Sequence, residues 1–383
     1  MKVLYISSMV DGDTYSKLFV KDKKPMIAAS KFNTLICEGL AKNGIEVTSC
    51  SALPVNKENC DKKWIKAKNK KLNGYVQKYP SFFNFSILRH VKFFLYGFFK
   101  ALFSPKSTVV LYDALVVSFA YGAVLGAKLL GKKRVAIITD LPQCLDSSEK
   151  RNKVFYNMLS KSSGYIILTK QMNEVVNPKN KPYVVIEGVV DSNMNAFVHT
   201  PFSECKKIVT YAGTLLKKYG IKNLCEAFIN VCKDDEELHI YGDGDYVLEL
   251  EELIKKHKNV KYFGNRPNNE VVLKELNSVL LVNPRPNVGE YVKYSFPSKT
   301  LEYMVSGTPV LTAKLDGIPD EYNEFLYFFD SLSEDGLKVK LREILDKTLE
   351  ELAEFGEKAK EFSLSSKNNK NQAEIIIEFI KSL

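Results

Sequence analysis

Four polar side chains that could act on a ligand lie close together in the sequence between residues 283 and 311. Arg285 lies in a loop after a short apolar run, and Ser298 and Lys299 lie at the predicted start of a helix. Free backbone N–H groups at a helix start, together with a hydroxyl and a cation, favour a diphosphate. Glu302 lies one turn later and can accept hydrogen bonds from the two hydroxyls of a ribose. The alternative interpretation is that Lys299 and Glu302 form an ordinary solvated helix face.

A second loop, after the apolar run at 208–211, also suits a phosphate. Gly213 follows the predicted strand and has no side chain to keep the backbone away from an anion. Thr214 and Lys218 follow in the same loop and bring a hydroxyl and a cation. The two loops together therefore predict a site for a phosphorylated ligand.

These loops resemble the signature of the family 4 glycosyltransferases, which have the GT-B fold. The family motif holds two Glu separated by seven residues, and its second Glu binds the nucleotide ribose. Here the second position is Glu302 and the first is Tyr294. The resemblance places Tyr294 near the transferred sugar, as the first Glu is in the family. The form YSFPSK over residues 294–299 is most similar to members that act on bacterial cell-surface polysaccharides.

In the family, an Arg and a Lys of the first loop bind the diphosphate. Alignment puts Thr214 and Tyr219 at those two positions, so both cations are missing from their usual places. We hypothesise that Lys218, Arg285 and Lys299 supply the lost charge.

Three further positions enter through the same resemblance. Gly242 lies in a Tyr-Gly-Asp-Gly sequence similar to a strand end of the family, although an ordinary turn is the alternative. Arg266 lies in a Phe-Gly-Asn-Arg sequence similar to the loop that borders the base. Asp140 follows an apolar run where the family often has a His close to the sugar. We expect Asp140 to contact the sugar or the acceptor, with a structural cap as the alternative.

The resemblance implies a retaining glycosyltransferase. It would move a sugar from a nucleotide-sugar to a hydroxyl of a glycan or lipid-linked acceptor, in the synthesis of a capsule, O-antigen or similar polysaccharide. We assign catalytic roles to Asp140, Lys299 and Arg285. A helix dipole and cations can stabilise the departing phosphate, so we expect neither a metal nor a cofactor. A UDP-sugar is the favoured donor, and GDP-mannose is the next.

Parallel sheets are needed to position these residues, and short apolar runs alternate with helical patterns along the chain. The runs are 3–6, 47–51, 109–112, 135–139, 165–168, 183–186, 208–211, 238–241, 260–263, 279–282, 309–311 and 326–329. We predict an α/β fold of the GT-B type, with two Rossmann-like doubly wound domains over residues 1–195 and 205–365 that face a central cleft. The first would bind the acceptor and the second the nucleotide-sugar. A last helix over 366–383 could pack back on the first domain.

The charge is divided unevenly along the chain. Residues 1–200 carry 30 Lys and Arg against 14 Asp and Glu, whereas the remainder carries 25 against 31. The basic half should be attracted to something anionic, such as a membrane surface, nucleic acid or an acidic acceptor. Lys31, at the end of a basic loop that begins at Lys21, is the candidate for acceptor binding.

A cation-rich run over residues 61–71, with Lys57 just upstream, precedes the Phe-rich segment 82–103. This order is typical of monotopic membrane proteins, so we predict that residues 57–103 contact an anionic membrane surface. The alternative is a helix buried in the first domain. A strand-like start instead of a signal peptide, and seven scattered Cys, favour a cytoplasmic protein at the inner face of the cell membrane.

Two other functions stay open. A nucleotide-sugar epimerase could use the same two sheets and would change the donor sugar without an acceptor. A non-catalytic relative of the family would bind nucleotide weakly and transfer nothing, which the missing first Glu would permit. Nucleic-acid binding is not expected, because no recognition motif accompanies the charge.

Overall fold

The computed structural model describes residues 1–19, 27–56, 58–145, 147–196, 207–331, 333 and 335–383. The first part of the predicted basic loop Lys21–Lys31, as well as Lys57 and the stretch 197–206 between the two predicted domains, lies outside the described residues. The chain divides into two compact units. The first unit is Met1–Val189 with Asn368–Leu383, and the second is Val190–Lys367.

The first unit is built on a mostly parallel sheet. Its strands and those of a small separate sheet are β1 (Lys2–Ser7), β2 (Glu46–Ser51), β3 (Trp64–Ile65), β4 (Lys68–Leu72), β5 (Tyr75–Tyr79), β6 (Phe82–Phe83), β7 (Thr108–Asp113), β8 (Arg134–Ile138), β9 (Gly164–Ile167) and β10 (Tyr183–Val185). The large sheet has the order β10-β9-β8-β7-β1-β2-β5-β4, and only β4 runs antiparallel to its neighbour. Strands β3 and β6 pair with each other.

Helices cover both faces of this sheet. They are α1 (Gly12–Leu18), α2 (Ile27–Lys42), α3 (Ser86–Leu102), α4 (Val117–Leu129), α5 (Glu149–Leu159) and α6 (Met172–Val176). The last helix of the chain, α13 (Asn369–Ser382), also belongs to this unit. Its apolar face, which includes Ile376 and Ile380, is buried in the same core as Leu40 of α2 and Tyr5 of β1. Burial of this face attaches the C-terminus of the chain to the first sheet.

The second unit has a parallel sheet of six strands. They are β11 (Lys207–Ala212), β12 (Glu236–Tyr241), β13 (Val260–Tyr262), β14 (Leu280–Asn283), β15 (Val310–Ala313) and β16 (Tyr327–Phe329), in the order β13-β12-β11-β14-β15-β16. The helices of this unit are α7 (Ile221–Val231), α8 (Val247–Lys256), α9 (Asn268–Glu275), α10 (Ser298–Val305), α11 (Gly336–Leu345) and α12 (Leu349–Ser366).

The strand order of each sheet reverses once. In the second unit the chain adds strands on one side of β11 and then returns to place β14 on its other side. In the first unit the same reversal occurs between β1 and β7. Open α/β sheets bind ligands beyond the carboxyl ends of the strands at such a reversal.

The predicted doubly wound α/β architecture is confirmed, and each of the twelve apolar runs coincides with a strand to within two residues. Sequence analysis missed β3 to β6, because these short strands lack a buried apolar run: β4 reads Lys-Asn-Lys-Lys-Leu. Within the described part of the chain, none of the helices has the length and hydropathy to cross a bilayer.

Candidate active site

The loops that follow β11 and β14 meet the start of α10 at the reversal point of the second sheet. Beyond the ends of these neighbouring strands lies a cavity of about 210 Å³. Its lining is formed by Tyr211, Gly213, Thr214, Tyr219, Asn283, Arg285, Pro297, Ser298, Lys299 and Tyr303. The structure therefore brings together five of the site residues named from the sequence: Gly213, Thr214, Arg285, Ser298 and Lys299.

Two glycines allow the loop after β11 to pack closely. A Cβ on Gly213 would lie 3.0 Å from the Tyr211 hydroxyl oxygen and 3.3 Å from Cε of Lys299. Gly242 has a φ of 132°, and a Cβ there would overlap the Gly213 carbonyl oxygen. Gly242 lies outside the cavity lining, so its contribution is to let the ends of β11 and β12 come together.

The start of α10 presents main-chain donors to the cavity. Pro297 has an extended conformation and precedes the first helical residue, Ser298. The N–H of Thr300 donates to the Pro297 carbonyl at 2.8 Å, and none of the described side chains caps the helix start. Ser298 is exposed and Lys299 is half-buried. Their amides and the positive end of the helix dipole favour an anion at this position.

Arg285 is fixed between two aromatic rings. The centre of its guanidinium group lies 4.9 Å from the Tyr291 ring centroid and 5.5 Å from that of Tyr219. One terminal nitrogen donates to Ser295 Oγ at 3.2 Å. Its Nε is buried, and it has no hydrogen-bond partner among the described residues. A buried guanidinium donor without a partner is costly, so Arg285 keeps unsatisfied hydrogen-bonding capacity beside the cavity that it lines.

Tyr303 connects α10 to the end of β11. Its hydroxyl accepts a hydrogen bond from the Ala212 N–H at 3.0 Å and donates to the Ala212 carbonyl at 2.9 Å. Burial raises the pKa of the Tyr303 phenol well above its usual value, so it remains a neutral donor. The Nζ of Lys299, one turn earlier, lies 5.9 Å from the centroid of this ring. Tyr303 thereby positions the helix start and its lysine relative to Gly213.

Four other predicted residues of this unit lie outside the cavity lining. Lys218 is exposed, with Nζ 5.5 Å from the Tyr219 ring centroid. Arg266 is exposed and donates its Nε to the Phe263 carbonyl at 3.0 Å. Tyr294 and Glu302 are half-buried, Tyr294 at the end of a 3-10 turn and Glu302 on α10.

The remaining two predicted residues belong to the first unit. Lys31 is half-buried on α2, and Asp140 is exposed just after β8. Sequence analysis missed Asp113, a buried residue at the end of β7, the strand next to the β8 strand that Asp140 follows. Its carboxylate accepts hydrogen bonds from the Leu115 N–H at 2.9 Å and from Asn33 Nδ2 at 3.2 Å. Burial, with a smaller contribution from the charge of Asp140, raises the pKa of Asp113 to about 6.

The aromatic residues of the site were also missed as functional residues. Tyr211 donates its hydroxyl to the Thr214 carbonyl at 2.8 Å, the Tyr291 ring contacts Arg285, and the Tyr303 ring lies near Lys299. The signal available in the sequence was the four-residue spacing of Lys299 and Tyr303, which places both on one helix face. Among the described residues, no group of three or more His, Cys, Asp or Glu is arranged to hold a metal ion.

The part of the chain that holds the cavity is similar to a known protein family. Residues 194–362 match the family model described as glycosyl transferases group 1. This range includes every residue that lines the cavity. No curated protein sequence matches the chain.

Solved structures match over the full chain. Trehalose-6-phosphate synthase OtsA has a TM-score of 0.71 at 9% identity, with 100% of this chain and 99% of that chain covered. HepE from Anabaena in complex with UDP has a TM-score of 0.65 at 15% identity, with both chains covered completely. The lipopolysaccharide outer core galactosyltransferase WaaB has a TM-score of 0.62 at 14% identity, covering 100% of this chain and 99% of that one. The fold is therefore that of the GT-B glycosyltransferases, and the family match over residues 194–362 supports a glycosyl-transferring enzyme.

Proposed function

We propose that the chain is a retaining glycosyltransferase that transfers a sugar from a nucleotide-sugar to a hydroxyl group of a glycan or lipid-linked acceptor. The observation that carries this proposal is the convergence of Arg285, Lys299 and the start of α10 on one cavity beside Gly213. Two cations, main-chain donors and a close backbone approach are the features that a diphosphate requires.

The cavity also supports the hypothesis about the missing charge. Thr214 and Tyr219 stand where the family resemblance expects an Arg and a Lys, and both line the cavity. Arg285 and Lys299 line the same cavity, so they can provide the two positive charges from a different loop and from a helix. Lys218 lies outside the lining, and we assign the diphosphate to the other two cations.

The proposed reaction replaces one bond to the anomeric carbon with another. The C–O bond to the nucleotide phosphate breaks, and a C–O bond to the acceptor hydroxyl oxygen forms. The acceptor proton passes to an oxygen of the leaving phosphate. Arg285 and Lys299 stabilise the charge that develops on that phosphate, which is the main task of the protein in this step. We propose that Asp140 contacts the sugar or the acceptor and that Glu302 binds the ribose.

The donor we favour is a UDP-sugar, with GDP-mannose as the alternative. Solved structures of similar fold contain UDP or UDP-sugars, including HepE in complex with UDP-glucose. The acceptor we propose is part of a cell-surface polysaccharide, and WaaB, which has this fold, is a lipopolysaccharide galactosyltransferase. The basic first half of the chain would bring the enzyme to the inner face of the cell membrane, where lipid-linked acceptors are found.

Alanine variants of the two cations test the proposal. Each lost charged hydrogen bond costs about 1.5–3 kcal/mol, so Arg285→Ala and Lys299→Ala should each weaken UDP binding by about 10- to 100-fold in calorimetry. Lys255→Ala is the matched control, because Lys255 is exposed on α8 and pairs with its near neighbour Glu252. Wild-type affinity in both cavity variants would refute the site. A new nucleotide-sugar formed without acceptor would instead indicate an epimerase.

A further inference from the structure

The outer face of α3 is a continuous apolar surface that no other part of the described chain covers. Exposed apolar side chains recur about every four residues along it, at Ile87, Val91, Leu95, Phe99 and Phe103. Ile87 is 79% exposed, Leu95 45% and Phe103 78%. Each step of four residues advances by about 40° around the helix axis, so Val91, Leu95 and Phe99 share one side, while the whole row winds gradually around the helix over about 25 Å at 1.5 Å per residue. Contiguous exposed apolar surface of this kind indicates a partner.

The opposite face of α3 is fixed in the first unit. Phe93 is buried and stacks on Phe119 of α4 at a centroid distance of 5.4 Å. Gly97 packs directly against the Phe119 carbonyl, and Gly122 of α4 packs against the Phe94 carbonyl. Backbone contact at two such points leaves no room for the helix to rotate. The apolar side of α3 is therefore held outward by the packing of its inner side.

The small sheet formed by β3 and β6 extends this surface beyond the start of α3. Trp64 and Phe83 are partners in that sheet, and their rings lie 4.5 Å apart. Trp64 is 43% exposed and Phe83 51% exposed, and Phe85 is exposed between Phe83 and the helix. Tryptophan and phenylalanine beside an amphipathic helix are typical of the boundary between water and lipid acyl chains.

The charge around the surface identifies the partner. Residues 62–112 contain 11 Lys and Arg and no Asp or Glu. Lys92 and Lys100 flank the apolar side of α3, and both line a groove of about 690 Å³ between this helix and the first residues of β1 and β2. A second copy of the chain would bring two such cationic surfaces together, which repel. An anionic surface would be attracted instead.

Two of the six lysines between residues 61 and 71 are paired inside the first unit. In the run over residues 61–71, Lys70 pairs with Asp11 and Asp13, and Lys68 pairs with Asp13 at 3.3 Å. These lysines belong to β4 and are largely neutralised inside the first unit. Lys62, Lys63 and Lys66 of the same run remain exposed on either side of Trp64 in the sequence, and Lys92 is exposed on α3 itself. These cations are available to a partner.

We propose that the outer face of α3, together with Trp64 and Phe83, binds the surface of an anionic phospholipid bilayer, with the helix axis parallel to that surface. The apolar side chains enter the boundary between headgroups and acyl chains, and the lysines contact lipid phosphates. This inference stands apart from the donor site, since all of its residues belong to the first unit and the cavity belongs to the second.

Vesicle co-sedimentation of the full chain tests the proposal. Wild type should bind vesicles of phosphatidylcholine with about one-third phosphatidylglycerol, bind pure phosphatidylcholine far less, and dissociate as ionic strength rises. The variant Val91→Asp with Leu95→Asp should lower partitioning by at least about 10-fold, because two carboxylates would enter an apolar, anionic layer. Both positions are exposed, so the fold should be retained.

The control variant carries Leu273→Asp and Val339→Asp, two apolar positions of the second unit that are 57% and 64% exposed, against 52% and 45% for Val91 and Leu95. It should bind vesicles as wild type does, and UDP affinity should be equal in all three proteins. Absence of wild-type binding to anionic vesicles at low salt would overturn the proposal, as would full binding by the α3 variant. A dimer in sedimentation analysis that the α3 substitutions disrupt, without vesicle binding, would assign the surface to a second copy and also overturn it.

Discussion

Tyr291 lies outside the cavity and should influence the donor only through Arg285. Its ring centroid is 4.9 Å from the guanidinium centre, a distance at which a partly desolvated cation–π contact contributes about 1 kcal/mol. Removing the ring by Tyr291→Leu should therefore weaken UDP binding by about fivefold, because the guanidinium loses one of the two rings that fix it. Tyr291→Phe keeps the ring and should bind UDP almost as wild type does.

A double-mutant cycle separates this positioning role from a general disturbance of the loop. In an Arg285→Ala background the Tyr291→Leu substitution should have almost no further effect, since the group it positions is absent. Calorimetric titration of UDP into wild type, both single variants and the double variant gives the coupling free energy directly. Additive losses would refute the role assigned to Tyr291, and so would a weakened Tyr291→Phe variant.

Two further predictions concern backbone packing after β12 and the buried carboxyl group at the end of β7. Gly242→Ala should lower the free energy of unfolding of the second unit by about 3 kcal/mol in urea and weaken UDP binding, because the new Cβ overlaps the Gly213 carbonyl at a positive φ. The control Gly264→Ala, which has a φ of 70° and open space around the new Cβ, should lower it by about 1 kcal/mol. Equal losses of stability in the two variants would contradict this packing. Burial raises the pKa of Asp113 from an ordinary 3.8 to about 6, so the folded state binds this proton more tightly than the unfolded chain does. The free energy of unfolding of wild type should therefore rise by up to about 3 kcal/mol, relative to that of Asp113→Asn, as the pH falls from 7 towards 4. A stability difference that does not change with pH would contradict the burial assigned to this carboxyl group.

The architecture could be predicted from the sequence because its central strands are buried on both faces. Strands such as β7 and β14 are therefore short continuous apolar runs, which is a strong local signal. Strand β4 has no such signal, since Lys68 and Lys70 are stabilised there by pairing with Asp11 and Asp13, which are distant in the sequence. Tertiary contacts of that kind leave no local pattern.

The site was predictable where it depends on backbone and charge, and unpredictable where it depends on neighbours. Gly213, Arg285 and Lys299 follow strand ends or begin a helix, so their approximate positions could be inferred from local patterns. The aromatic supports of Arg285 and the hydroxyl bridge from Tyr303 depend on how two loops pack, and the raised pKa of Asp113 depends on burial that only the folded sheet creates.

The central claim is that the cavity at the start of α10 binds the diphosphate of the donor. A crystal structure of the full chain with UDP tests this claim most directly. The account predicts the two phosphates within hydrogen-bond distance of Arg285, Lys299 and the first amides of α10. A well-ordered UDP bound elsewhere, with that cavity vacant or closed, would contradict it.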